Sequence, residues 1–455
     1  MDIAGKKILI VGLGRTGEAV ANFLISRGAK VTISEIKTAE ELGNKVRFWK
    51  EMGAAVEPGG HDIHSFLAAD LIIPSPGAAA LPEIAVARKA GITILSEIEL
   101  AFHFLKGRIV GITGTNGKST TATLVHKILR AAGLRSYLAG NIGTPLISFV
   151  DKSRADNIYV TEISSFQLEH IDRFRPDISV FLNISQNHLD WHSSFDDYYA
   201  TKKKLFLGQG RGDIAILNQD DRLVWPLASQ VETKIYAFSS RKEVCRGCFL
   251  KARQIVLRDD KDERLLRTSE VPLPGLHNQE NVMAAALVGH CLGVPVRTMR
   301  SPIMSFSGLE HRLEKVLTVR RVDFINDSKA TTVDATIKAL QSFDKPIVLI
   351  LGGRDKGADF TQLRRPVREK VKKVILLGEA SEKIKGALRR AVPMEEASSL
   401  RDAVALSFAA AAPGEMVLLA PACTSFDMFR NFEARGRAFK KEVRKLKMLI
   451  RKRQG

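Results

Sequence analysis

The stretch Gly111 to Thr120, GITGTNGKST, constrains this chain more than any other. It follows the apolar run Arg108-Ile109-Val110, which reads as a strand, and opens the helical pattern TATLVHKILRAAG. A glycine-rich strand-to-helix turn ending in Gly-Lys-Ser aims backbone N–H groups and a helix N-terminus at one spot, which suits a phosphate. In that turn Gly114, Thr115, Asn116 and Gly117 form the cradle, Lys118 reaches the terminal phosphates, and Ser119 or Thr120 can ligate Mg²⁺. The common phosphate-loop pattern places Gly five residues before Gly117; Ile112 stands there, so this loop is a variant.

A chain of 455 residues is too long for one core and predicts two or three domains. No apolar run is long enough to span a bilayer. The opening MDIAGKKILIVGLGRTG breaks at Gly12, Gly14 and Arg15, so it reads as a buried strand and turn rather than a signal peptide. The cytoplasm is the expected compartment. Four cysteines make no disulfide framework. Cys245 and Cys248 form a CxxC pair without further ligands nearby, and CRGC reads as a hairpin turn leading into the strands CFLKA and QIVLR. The formal charge is +19, much of it in the last twenty residues. That basic segment could meet nucleic acid or an acidic membrane; a solvated helical face is the expectation, with Val443, Leu446 and Leu449 or Ile450 turned inward.

Strand-like and helix-like patterns alternate throughout, which predicts an α/β protein with mainly parallel sheets. Three blocks are expected: a Rossmann-like N-terminal domain over 1–98, a central phosphate-loop ATPase domain over 99–308, and a Rossmann-like C-terminal domain over 309–455. Sites in such folds lie at the C-terminal ends of strands.

The remaining candidates fall at such ends. Gly12-Leu13-Gly14-Arg15-Thr16-Gly17 matches the dinucleotide fingerprint, and Glu35 ends the next strand where an acid would bind a ribose. With a second phosphate loop downstream, a UDP group is the ligand expected there rather than NAD. Glu162 ends the strand NIYVTE and suits Mg²⁺. His188 lies just past another strand, crowded by Asn187, Asp190 and His192; Lys202, Lys203 and Lys204 follow on a helix. Asn278, in GLHNQEN, could cap its helix or bind a base or ribose. The last block offers Arg312, Asp327, Lys329, Thr331, Lys356, Ser425, Phe426 and Phe432, cations, hydroxyls and aromatics suited to an anionic substrate.

The ordered set GTNGKST, TEISSFQLE, NHLDWH, GLHNQEN, HR, NDSKAT and PACTSFDMFRNFEARG resembles the Mur ligase family over essentially the whole chain. SFQLE, NDSKAT and SFDMFRNFEARG resemble its D-glutamate-adding members most. The resemblance implies that ATP phosphorylates the L-alanine carboxylate of a UDP-sugar substrate and that the amine of D-glutamate attacks the acyl phosphate. It implies that Lys118, Ser119 and Thr120 serve ATP; that Glu162 and His188 hold Mg²⁺; that Asn278 and Arg312 contact the nucleotide and Asp327 its ribose. Lys329, Thr331, Lys356, Ser425, Phe426 and Phe432 would surround D-glutamate and the UDP-linked substrate. Asn141 would lie by the acceptor carboxylate, and Arg15, Thr16, Glu35 and Gly77 in the UDP site. It also implies a carbamylated lysine, spaced from His188 through Tyr198 to Lys202, although Lys203 pairs equally well with Tyr199. The expected partners are small molecules only, with no obligatory nucleic acid and no membrane, and the chain is expected to be a monomer. The alternatives are a folylpolyglutamate-synthase-like member, a nicotinamide-dependent dehydrogenase resting on GLGRTG, and a basic ATP-binding nucleic-acid protein resting on charge.

Overall fold

The computed structural model describes every residue except 79–80, 186–190, 274, 356 and 453–455. It forms two compact units, Met1–Phe306 and Ser307–Gly455. The expected α/β architecture with three mainly parallel sheets is present.

The first sheet contains β1 (Lys7–Val11), β2 (Lys30–Glu35), β3 (Ala55–Pro58), β4 (Leu71–Pro74) and β5 (Thr93–Ile94). Its order is β3-β2-β1-β4-β5, and every pair is parallel. The order reverses between β1 and β4, so the turns after those two strands share the crevice where ligands of such sheets bind. Ser75 accordingly donates to the Gly12 carbonyl at 3.2 Å.

The second sheet, in the same unit, contains β6 (Arg108–Thr113), β7 (Arg135–Gly140), β8 (Asn157–Glu162), β9 (Ile178–Phe181), β10 (Ile214–Asn218), β11 (Lys234–Ser239), β12 (Gly247–Lys251), β13 (Gln254–Arg258) and β14 (Asp262–Arg267). Its order is β14-β13-β12-β11-β10-β9-β6-β8-β7, antiparallel in the β14–β13 and β13–β12 pairings and parallel from β12 to β7. The phosphate-loop strand β6 sits between β9 and β8, and Ile112 pairs with Glu162. One turn expectation needs correcting. CRGC only enters β12; the hairpin turn is Ala252-Arg253, both with positive φ (47° and 62°). A two-residue hairpin selects that left-handed backbone because it matches the strand twist, and Gly or Asn signals the position only when present.

The helix Lys118–Ala131 buries Leu124, Val125, Ile128 and Leu129 and packs on the helix Leu276–Cys291, whose stretch from Asn281 to Gly289 is wholly buried. Each such aliphatic side chain contributes roughly 1.5–3 kcal/mol. That packing fixes the start of both helices beside the phosphate loop.

The second unit contains β15 (Glu314–Val319), β16 (Val322–Asn326), β17 (Ile347–Leu351), β18 (Val371–Leu376), β19 (Met394–Glu396) and β20 (Met416–Leu419), in the order β15-β16-β20-β17-β18-β19. Only the β15–β16 pair is antiparallel. The loops after β16, β20 and β17 are therefore neighbours, which brings NDSKA, PACTSF and GGRD to one edge. The helix Phe432–Lys452 closes the unit. Among the described residues no helix is long and apolar enough to cross a membrane.

Candidate functional site

The phosphate loop owes its shape to two glycines. Gly114 has φ +145°, and a Cβ there would lie 3.1 Å from Leu182. Gly117 has φ +85°, and a Cβ there would lie 2.2 Å from Asn281 Oδ1. Gly117 precedes the helix Lys118–Ala131 with no side chain capping it, so the helix N-terminal N–H groups face the loop. Lys118 Nζ donates to the carbonyls of Gly114 (2.8 Å) and Thr115 (2.9 Å). Asn116 N–H donates to Asn183 Oδ1 at 2.9 Å, and Asn183 Nδ2 donates back to the Asn116 carbonyl at 3.2 Å. Ser119 and Thr120 are buried at the helix start. Asn278 accepts from Asn281 Nδ2 at 3.2 Å, and Asn281 Oδ1 accepts from Thr121 at 3.3 Å.

Across this loop lies a buried carboxylate. Glu162 is 2% exposed at the end of β8. Its Oε1 accepts from Asn141 Nδ2 at 2.7 Å, while Oε2 is buried with no hydrogen-bond partner among the described residues. A buried carboxylate oxygen without a donor is costly unless something positive meets it. The residues here therefore fit a hard cation such as Mg²⁺, which prefers carboxylate oxygen.

Lys202 closes the same pocket. It is 1% exposed, and its Nζ donates to Thr113 Oγ1 at 3.3 Å, beside the phosphate loop. Burial holds its ammonium well below the usual lysine range; Lys118 pushes the same way and Glu162 opposes. Lys203 points elsewhere, 4.8 Å over the Tyr199 ring, and Lys204 donates to the Glu169 carbonyl. The triplet thus splits into one buried amine and two peripheral ones. Tyr198 OH lies 3.2 Å from Thr115 Oγ1, which links the lysine's helix to the loop. His188, with Asn187 and Asp190, lies outside the described residues. His192 is buried, 3.0 Å from Ser165 Oγ, and burial lowers its pKa.

At the first sheet the fingerprint glycines do steric work. A Cβ on Gly17 would lie 2.0 Å from the Gly12 carbonyl, so helix and strand could not approach. Glu35 turns inward: Oε2 accepts from Leu13 N–H at 2.5 Å and Oε1 from Lys37 N–H at 3.2 Å. It braces the turn with both oxygens. Arg15 donates to the Gly143 carbonyl, tying this turn to the Asn141–Thr144 loop. Thr16 lines a small cavity with Pro74, Pro76 and Glu97, and Gly77 lies in the adjoining turn Pro76–Ala78.

In the second unit Asp327 is buried beside Leu313 N–H, which donates to it at 3.3 Å. Burial pushes its carboxyl up to about 6, against the pull of Leu313 N–H, Arg312 and Lys329. Lys329 is exposed, Thr331 partly so, Ser425 is buried and Phe426 exposed. Phe432 meets His311 edge-on. Lys356 lies outside the described residues. The unexpected residue is Arg435, 2% exposed. It donates to the carbonyls of Ser328 and Cys423 (3.0 Å each), Thr424 (3.2 Å) and Gly352 (3.5 Å), and to Ser328 Oγ (3.0 Å). One guanidinium thus ties the loops after all three neighbouring strands. Sequence reasoning passed over Arg435, Asn281, Asn183 and Thr113, because their partners lie far away in the chain.

A phosphate loop facing a buried, half-satisfied carboxylate defines a nucleotide-binding centre equipped for a divalent cation. The chain belongs to the Mur ligase family. Residues 6–96 match the MurD-like N-terminal domain, 112–289 the Mur ligase middle domain, and 311–423 the glutamate ligase domain. A relative from Acidobacterium capsulatum named UDP-N-acetylmuramoylalanine–D-glutamate ligase is 47% identical, over 97% of this chain and 96% of its own. One of the same name from Koribacter versatilis is 45% identical, over 98% and 99%. The fold is also that of the UDP-N-acetylmuramate–alanine ligase from Thermotoga maritima (TM-score 0.59, 18% identity, covering 97% of this chain and 100% of that one).

Proposed function

We infer that this chain is an ATP-dependent ligase that joins D-glutamate to UDP-N-acetylmuramoyl-L-alanine in the synthesis of peptidoglycan precursors. The observation that carries the chemistry is the Glu162 oxygen, without a hydrogen-bond partner among the described residues, set beside Lys202 and the phosphate loop. A carboxylate is a poor electrophile until one of its oxygens becomes a leaving group. The L-alanine carboxylate oxygen attacks the γ-phosphorus of ATP, and ADP leaves. The D-glutamate amine then attacks the carbonyl carbon of the acyl phosphate, loses a proton, and phosphate departs with the C–O bond's electrons. Positioning and charge do most of this work. Lys118 and the loop N–H groups hold the phosphates, and Asn141 orients Glu162 and the acceptor. Bound Mg²⁺, held by Ser119, Glu162, His188 and a modified Lys202, would offset the charge on the phosphates.

Lys202 is the residue we assign as the carbamate. Burial and Lys118 both favour its neutral amine. A neutral amine adds to the carbon of CO₂ and releases a proton, which turns a would-be cation into an oxygen anion. In the second unit Arg312 and Asp327 serve the nucleotide; Lys329, Thr331, Lys356, Ser425, Phe426 and Phe432 serve D-glutamate and the UDP-linked substrate. Arg15, Thr16, Glu35 and Gly77 serve UDP. We take 1–98, 99–308 and 309–455 as the working domains, and the enzyme as a cytoplasmic monomer acting on small molecules.

Phosphate release should require ATP, the UDP-sugar and D-glutamate together. Release at the same rate with either acceptor or amino acid omitted contradicts the reading. A pH dependence follows from Asp327. As a carboxylate it accepts charge-assisted bonds from ribose hydroxyls with both oxygens; protonated, it loses the charge and one oxygen becomes a donor. KM for ATP should therefore rise as pH falls through about 6, by up to about tenfold per pH unit. Asp327→Asn should flatten the profile, and a profile unchanged by that substitution removes Asp327 from the site.

A further inference from the structure

The helix Phe432–Lys452 has two faces. Phe439 and Val443 are buried, and Leu446 and Ile450 pack with them against the second unit's sheet. The opposite face exposes Arg437, Lys441, Arg444, Lys445, Met448, Leu449 and Arg451. Over 437–452 the chain carries eight cations and one carboxylate, Glu442. Lys440 is neutralised by Glu310 and Glu314, and Lys445 by Glu442. Arg437, Lys441, Arg444, Lys447 and Arg451 have no ion-pair partner among the described residues.

The odd feature is where the apolar residues sit. Met448 (57% exposed) and Leu449 (53% exposed) lie on the outward side. Arg444 is one turn before Met448 and Arg451 one turn after it. A merely solvated face has no use for a thioether between two guanidiniums. A bilayer surface has: cations meet lipid phosphates while a few apolar side chains enter the interface. A nucleic acid would favour aromatic side chains among the cations, and this face has none.

We propose that the outward face of this helix docks on an anionic phospholipid surface, with Arg437, Lys441, Arg444 and Arg451 on headgroup phosphates and Met448 and Leu449 in the interface. This revises the expectation of a chain with no membrane partner. It involves no spanning segment, and the docked enzyme remains a peripheral one. Such binding is reversible and weakens as salt screens the charges.

The test is flotation of the full chain with vesicles of phosphatidylcholine alone or with added phosphatidylglycerol. Binding should appear only with the anionic lipid and fall as salt is raised. Lys441→Glu with Arg444→Glu should weaken it at least about tenfold. Met448→Ser with Leu449→Ser should weaken it severalfold while leaving the charge intact. Both variants change exposed positions, so their thermal unfolding should match the parent chain's, and a variant that melts early is replaced by Arg437→Gln with Arg451→Gln. No binding to anionic vesicles overturns the proposal. So does binding indifferent to the charge reversals or to the serine pair, or binding to duplex DNA that outcompetes the vesicles.

Discussion

Lys202→Ala should cost turnover about two orders of magnitude or more, the range expected when a group that holds or orients a catalytic metal is removed. The loss should be in chemistry and metal dependence, not in folding, since alanine is the best helix former. Acetate or another short carboxylic acid should restore part of the activity by supplying the missing oxygen anion. Lys203→Ala and Lys204→Ala should be mild, because those side chains rest on Tyr199 and on the Glu169 carbonyl, away from Thr113 and Glu162. A Lys202→Ala enzyme with near-normal turnover, beside a dead Lys203→Ala rescued by acetate, would move the carbamate one residue on. If neither substitution matters, the carbamate assignment fails.

Arg435→Ala should be the most damaging single change to the second unit, at about 3–5 kcal/mol, because several buried acceptors lose a donor at roughly 1–3 kcal/mol each. It takes the guanidinium from the Ser328, Cys423 and Gly352 carbonyls and the Ser328 hydroxyl, while the Thr424 carbonyl keeps Arg354 N–H at 3.0 Å. Burial already draws the guanidinium down to about 10 against the pull of Asp427, and no carboxylate forms an ion pair with it among the described residues. Its stabilising effect therefore comes from geometry, five donors in a fixed fork. Lysine cannot copy that fork, so Arg435→Lys should recover little. Ser328 precedes Lys329 and Thr424 precedes Ser425, so the same change should raise KM for D-glutamate in whatever protein folds. Urea unfolding measures the first effect. A loss under about 1 kcal/mol, typical of an unremarkable surface site, would contradict it.

Local chemistry was legible in the sequence wherever one segment held the whole signal. GTNGKST and GLGRTG carry their own backbone demands, and a Cβ on Gly117 or Gly17 would collide with Asn281 or Gly12. The position of Glu162 followed from its place at a strand end. What stayed hidden depends on pairing across the chain. Nothing near Arg435 announces that it will tie Ser328, Gly352 and Thr424, and nothing near Asn281 says that it will lie against Gly117. The choice between Lys202 and Lys203 was likewise open to spacing alone. Burial separates them, because the helix Phe195–Lys203 turns one amine under the sheet and the other onto Tyr199. The hairpin at Ala252-Arg253 was misplaced for a similar reason: neither residue type signals a positive φ, and the neighbouring Arg-Gly did.

The central claim is a ligase whose electrophile is a UDP-linked L-alanine carboxylate and whose nucleophile is D-glutamate. The direct measurement is ADP formation with ATP, Mg²⁺ and UDP-N-acetylmuramoyl-L-alanine across a panel of D- and L-amino acids. D-Glutamate should support turnover, while L-glutamate and D-glutamine should be poor, since a charge-assisted contact to the side-chain carboxylate loses much of its energy when the charge is removed. Equal turnover with L-glutamate or D-glutamine, or ADP formation indifferent to the amino acid, would contradict it.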